Sequence, residues 1–256
     1  MEVTAKMLLI VCPMVFLSGL VDAVAGGGGL ISLPAYLVAG LPPHVASATN
    51  KCGSVFGTAV STFRFLKEGR FHRQAAIVSA AAALLGSALG TRLNLLLPEA
   101  ILHYVLVVLL PVIAVFLLVN RDFGLKSRVD ELSPEALLVL SGGVGLVLGA
   151  YDGFFGPGSG TFLILAFTAL CGFDLVTASG NAKVVNLCSN LAAFVTFAAA
   201  GKIAWAVGLP AACFSIVGHY VGSAMALKKG SKVIRPMFFV VLTLLLVRIV
   251  ADLTVA

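Results

Sequence analysis

Tyr151-Asp-Gly-Phe-Phe-Gly-Pro-Gly-Ser-Gly160 interrupts a long apolar run, and its reading decides the fold. A helix entering this stretch cannot pass through it intact. Each glycine costs about 1 kcal/mol relative to alanine in a helix, and Pro157 removes an amide donor. The first half of the chain holds a second copy. Gly19-Leu-Val-Asp22-Ala-Val-Ala-Gly26-Gly-Gly-Gly29 aligns with Gly149-Ala-Tyr-Asp152-Gly-Phe-Phe-Gly156-Pro-Gly-Ser-Gly160. After a two-residue drift Gly40 matches Gly172, Ala46-Ser47 matches Ala178-Ser179, Lys51 matches Lys183, and Gly69-Arg70 matches Gly201-Lys202. An ordered series of Asp, Gly-rich break, Lys and basic turn marks a duplicated unit, the usual construction of secondary transporters.

The surroundings of the two breaks fix the solvent. Of 256 residues 60% are hydrophobic and 11% are charged, less than half the charge of an ordinary soluble domain. Apolar runs such as 75–93 and 104–119 approach the roughly 20 residues that cross a bilayer as a helix. This composition excludes a soluble enzyme, a disordered chain and a nucleic-acid binder, despite a net charge of +6. The runs do not alternate apolar and polar residues as barrel strands would. The chain therefore reads as an all-α, multi-pass protein of the lipid bilayer. Lys6, the apolar 7–21 and Ala23-Val24-Ala25 imitate a secretory signal. Asp22 and the downstream copy argue for a first membrane helix instead. The five cysteines are scattered and odd in number, which gives neither a disulfide framework nor a metal site.

Three parts follow: a first repeat over 1–120, a polar loop over 121–134 and a second repeat over 135–256. Expected helices are 7–25, 44–66, 74–93 and 100–119, then 136–151, 175–199, 203–227 and 237–253. Short apolar segments at 30–38 and 161–170 follow the breaks. Eight segments are thus long enough to span and two are short. If the short segments re-enter and return, each half crosses four times, the halves are parallel, and Lys228/Lys229/Lys232/Arg235 face away from the other basic clusters. If they complete a crossing, each half crosses an odd number of times and the halves are inverted. Lys67/Arg70/Arg73, Arg121/Lys126/Arg128 and Lys228/Lys229/Lys232/Arg235 then share one side. They are ten of the seventeen Lys and Arg residues, and the positive-inside rule favours this arrangement.

Chemistry concentrates at the breaks. Non-helical backbone at membrane depth requires protein or a water-filled cavity around it, and matching breaks in two halves point to a transporter's binding site. Amides of Gly27, Gly28 and Gly29, and of Gly158, Ser159 and Gly160, would open the following half-helices. Helix N-termini present N–H groups that attract anions. Close packing of small residues is the simpler role, and it suits Gly142–Gly149 and Gly218–Gly222. Charges inside apolar runs are the second signal, since each is expensive there and faces a cavity or a partner. Asp22 and Asp152 precede the breaks, and Lys51 and Lys183 open the polar-faced helices. Asn186 and Asn190 share a helical face with Lys183, while Asn50, Ser54 and Thr58 accompany Lys51. Either the lysines offer positive charge to an anion, or they neutralise the aspartates as structural pairs. His219 could relay a proton, but no acid stands near it in sequence, so hydrogen-bonded packing is the expectation. No nucleotide-binding Gly-x-x-x-x-Gly-Lys-Ser/Thr loop occurs.

These residues resemble the TauE/SafE, or sulfite exporter, family. The resemblance rests on Gly26–Gly29 with Pro34, on Ala48-Thr-Asn-Lys51, on Tyr151–Gly160 and on Asn181-Ala-Lys-Val-Val-Asn186. It implies a duplicated transporter of the bacterial inner membrane that handles sulfur-containing anions such as sulfite, sulfonates or sulfoacetate. Carried over, it adds Asn181 to the candidate site. Gly27 in place of Pro157, and Thr49-Asn50 in place of Asn181-Ala182, make the halves unequal. The expected function is secondary transport of a small anion, with Asp22 and Asp152 as structural charges or carriers of a coupling proton or sodium ion. No cofactor, metal or nucleic acid is called for. A passive anion channel, or a membrane protein without a transport role, is the alternative.

Overall fold

The computed structural model describes residues 5–96, 127–237, 240, 241 and 243. In chain order its elements are α1 (Ala5–Ala25), α2 (Gly29–Val38), α3 (Pro43–Lys67) and α4 (Arg73–Leu96). A 3-10 turn at Val129–Glu131 leads to α5 (Pro134–Phe154), α6 (Ser159–Leu170), α7 (Leu175–Ala199) and α8 (Trp205–Lys229). Residues 231–237 are also helical, and no strand occurs among the described residues. The expected boundaries fall within three residues of these. The expected spans 100–119 and 237–253 lie outside the described residues, save Met237, Val240, Val241 and Thr243.

Local chemistry sets the helix starts. Ser133 accepts a hydrogen bond from Ala136 N and Pro134 occupies the first turn of α5, where its missing amide costs nothing. Asp174 accepts from Val176 N and Thr177 N at the start of α7, a side-chain cap. Helices α1, α4, α5, α7 and α8 are long and apolar enough to cross a membrane. The 25-residue α3 has the length, but Lys51 and a run of hydroxyls lower its hydropathy.

Two tight seams hold the bundle, α1 on α8 and α4 on α5. Small residues make both. A methyl on Gly218 would strike Phe16 O and Leu20 N, and one on Gly86 would strike Leu146 O and Ala150 N. Gly145 and Gly149 lie against Ser79 and Ala83 in the same way, and Gly222 against Leu20. Close approach through small residues is how membrane helices associate where lipid supplies no hydrophobic drive.

α3 and α7 cross the middle antiparallel. Thr62 donates to Lys183 O, Lys51 to Asn190 Oδ1, and Thr49 Oγ1 accepts from Ala204 N. Around the start of α7 gather Arg70, whose carbonyl abuts Gly180, Arg128, whose amide donates to Gly172 O, and Gly230 after α8. The basic turns at Arg70, Arg128 and Lys228/Lys229 therefore occupy one end. Lys202 and the Asn94 end of α4, where Asn94 meets His44, occupy the other.

The short helices return rather than complete a crossing, one of the two alternatives that the sequence left open. α2 folds back along α1, because Leu33, Tyr36 and Leu41 share a core cluster with Val11 and Val15. α6 folds back along α5, bringing Cys171 Sγ within 3.6 Å of Ser141 Oγ. Each break is thus the tip of a hairpin whose two arms end on one side. A hairpin adds no net crossing, so α3 and α7 remain antiparallel although the short segments return.

Candidate functional site

The two hairpin tips meet. Gly26 takes φ +78° and Gly156 and Gly158 take φ +92° and +79°, backbone that glycine adopts without strain. A Cβ on Gly26 would collide with the backbone of Gly160 and Thr161, and one on Gly29 would press on Pro157. Thr161 crosses between the tips, donating its amide to Gly26 O at 3.2 Å and its hydroxyl to Ala25 O at 2.7 Å. Tyr151 braces the second tip through a 2.7 Å bond to Pro157 O.

Around this crossing lie the buried charges, and they pair across the halves. Lys51 Nζ lies 2.8 Å from Asp152 Oδ2. Lys183 Nζ lies 3.4 Å from Asp22 Oδ2 and also donates to Asp22 O. Each lysine thus holds the aspartate of the other half. Lys183 is 0%, Asp152 1%, Lys51 5% and Asp22 9% exposed. Removing ions from water is expensive, so such groups persist only when their charges and hydrogen bonds are matched. Here two carboxylates face two ammonium groups.

The hydrogen-bond shells differ. Asp152 accepts from Ser159 Oγ and Ser189 Oγ, both at 2.5 Å. Asp22 accepts from Gly28 N at 3.2 Å and has His219 Nε2 at 3.2 Å. His219 therefore has an acidic partner, 197 positions away along the chain, which its sequence neighbours did not reveal. Lys51 also donates to Asn190 Oδ1 at 2.8 Å, and Asn190 Nδ2 donates to Asn186 Oδ1 at 3.3 Å. The Asn stripe that follows Lys183 in sequence thus serves Lys51 in space.

Other candidates are placed differently. Asn181 donates to Thr177 O within its own helix, and its Oδ1 is buried without a partner among the described residues. Gly180 beside it packs on Arg70, so Asn181 belongs to the basic end and not to the hairpin tips. Gly27 faces Val241. Gly28, Leu30 and Ser159 amides bond to Asp22, Gly27 O and Gly156 O. In this conformation those amides are engaged inside the protein and do not point into open space. Asn50 borders a cavity of about 20 Å³ together with Ser18, Asp22, Ser32, Ser54 and His219. That is room for one water molecule, and Ser18 Oγ reaches Gly28 O across its edge.

Sequence reasoning passed over Ser18, Ser32 and Ser189, since buried serines are common in membrane helices. The internal alignment held a usable signal for two more residues: Ser189 falls opposite Gly57, and His219 opposite Ser87. Among the described residues no three His, Cys, Asp or Glu side chains converge as a metal site.

Membrane-length helices enclosing crossed hairpin tips and paired charges define a multi-pass helical membrane protein with a polar interior. The family model described as "Sulfite exporter TauE/SafE" matches residues 11–249, and the chain belongs to that family. It is 36% identical to "Probable membrane transporter protein" of Haemophilus influenzae over 98% of both chains. It is 36% identical to "Probable membrane transporter protein ORF9" of Sinorhizobium sp, over 93% of this chain and 90% of that one. It is 34% identical to "Probable membrane transporter protein YfcA" of Escherichia coli K12, over 92% and 87%. No solved structure matches the chain.

Proposed function

We propose that this protein is a secondary transporter of a small anion, with a sulfur-containing oxyanion such as a sulfite or a sulfonate as its substrate class. The observation that carries the reading is the exchange of ion pairs, Lys51 with Asp152 and Lys183 with Asp22, around two crossed hairpin tips. Duplicated chain breaks beside buried charge are the construction expected of a transport site near the bilayer midplane. The family description and the relatives' names support transport over enzymatic chemistry.

On this reading 1–120 and 135–256 are inverted repeats joined by the polar loop 121–134. Support comes from antiparallel α3 and α7 and from the matched seams, in which Gly86 meets Leu146 and Gly218 meets Phe16. Alternating access moves one hairpin tip away from the other, widening the space beside Asp22 and freeing tip amides. Lys51 and Lys183 then supply positive charge, and Asn186 and Asn190 supply amide donors. The closed tips favour a transporter over an open channel. Proteoliposomes holding the purified chain test this with labelled sulfite and methanesulfonate. Saturable uptake and counterflow that fall at least tenfold in Lys183→Met and Asn186→Leu are expected; unchanged flux in both variants removes these residues from the site.

A further inference from the structure

We infer that the His219–Asp22 pair is the coupling proton site and that proton and anion travel in the same direction. This rests on the transporter reading above and adds the identity and sign of its coupling. His219 is buried, with Nδ1 3.0 Å from Ser215 O and 3.4 Å from Ser215 Oγ, and Nε2 3.2 Å from Asp22 Oδ2. The imidazolium donates from Nδ1 to the carbonyl, which only accepts, and from Nε2 to the carboxylate. The neutral ring keeps its hydrogen on Nε2 and accepts at Nδ1 from the Ser215 hydroxyl. Both protonation states thus find partners in one place, and the adjoining cavity has room for a water that carries the proton.

The charge count gives the direction. Among the described residues the buried acidic and basic side chains are Asp22, Asp152, Lys51 and Lys183, with His219 the fifth. Two carboxylates balance two lysines, so the proton at His219 sets the net charge of the interior at +1 or 0. The groups facing His219 are Asp22 from α1 and, on the same Asp22 oxygen, Lys183 from α7. α3 and α2 contribute Asn50, Ser54, Gly57 and Ser32, none titratable. A monovalent anion neutralises the proton-loaded form, and in a low-dielectric interior that attraction is strong. Each then raises the other's affinity by linkage.

The pair has a purpose-built space. A Cβ on Gly57 would overlap the imidazole, as well as Ser215 Oγ. At the aligned positions of the other half stand Ser189 and Ser87, and Ser189 bonds directly to Asp152. One half thus makes room for a titratable ring where the other fills the space with a hydroxyl.

The test uses the full chain in proteoliposomes with labelled methanesulfonate, whose charge is independent of pH, and with sulfite. An interior more alkaline by one pH unit is expected to accumulate the anion about tenfold in the wild type. In His219→Gln that accumulation is lost while counterflow stays detectable. The triple variant Gly57→Ser, Ser215→Ala and His219→Ser, which copies Ser189, Ala83 and Ser87 of the other half and removes both groups that a Cβ on Gly57 would meet, behaves likewise and covers the case in which His219→Gln misfolds. Wild-type accumulation in either variant, or wild-type counterflow that ignores the pH gradient, overturns the inference. If the wild type moves neither probe, the transport reading fails for these anions. ¹⁵N-histidine NMR of the purified protein then decides the proton site. A His219 signal, assigned by its loss in His219→Gln, should change protonation state reversibly with pH and change its response in Asp22→Asn; one fixed protonation state at every pH at which the protein stays folded overturns it.

Discussion

Lys51 and Lys183 occupy matching positions but keep different company, and their variants should differ accordingly. Removing one partner of a buried ion pair leaves an uncompensated charge, at a cost of about 3–5 kcal/mol. Lys51→Met leaves Asp152 with the Ser159 and Ser189 hydroxyls as its partners among the described residues. Its full loss of stability is therefore expected. Lys183→Met leaves Asp22 with His219 Nε2 and the Gly28 amide still beside it, so the loss is smaller. Thermal unfolding in detergent should therefore show a larger drop for Lys51→Met than for Lys183→Met. The four charges were legible in the sequence because charge in an apolar run is conspicuous. Their partners were not, since pairing depends on which helices cross, and His219 and Asp22 stand 197 positions apart.

Helices announce themselves more openly than the turns between them. Apolar runs placed α1 to α8 to within three residues of their observed ends, and the glycine clusters placed both breaks. What the pattern could not convey was that α2 and α6 fold back. Reversal is set by contacts between tips, such as Thr161 with Ala25 and Gly26, that join segments far apart in sequence. Two glycine variants separate conformation from packing. Gly40 has φ +92° and a Cβ there would meet nothing within 4 Å among the described residues, so Gly40→Ala should cost only the left-handed penalty of about 1–2 kcal/mol. Gly26 has φ +78°, and a methyl there enters the backbone of Gly160 and Thr161. Gly26→Ala should force the tips apart, lowering the unfolding temperature well beyond Gly40→Ala and abolishing anion counterflow. Equal melting shifts for the two variants would show that the tips do not depend on their contact.

Distribution of charge orients the assembled bundle. The turns at Arg70 and Arg128 and the end of α8 at Lys228/Lys229 all surround the start of α7. Lys202 lies at the opposite end, beside the start of α3. Basic loops are retained in the cytoplasm during insertion, so the Arg70 end should face inward and Lys202 outward. This arrangement needs the hairpins α1–α2 and α5–α6 to enter from opposite sides, each adding no net crossing, with α3 and α7 antiparallel between them. Single cysteines at Arg70, Lys202 and Lys228, in a background with the five native cysteines replaced, test it with a membrane-impermeant maleimide on intact cells. Lys202→Cys should be labelled directly. Arg70→Cys and Lys228→Cys should react only after the membrane is permeabilised. Labelling of Arg70→Cys and Lys202→Cys from the same side would contradict the antiparallel crossing of α3 and α7, and with it the inverted pairing of the halves. Labelling of Arg70→Cys and Lys228→Cys from outside, with Lys202→Cys protected, would keep the bundle as described and reverse only its orientation in the membrane.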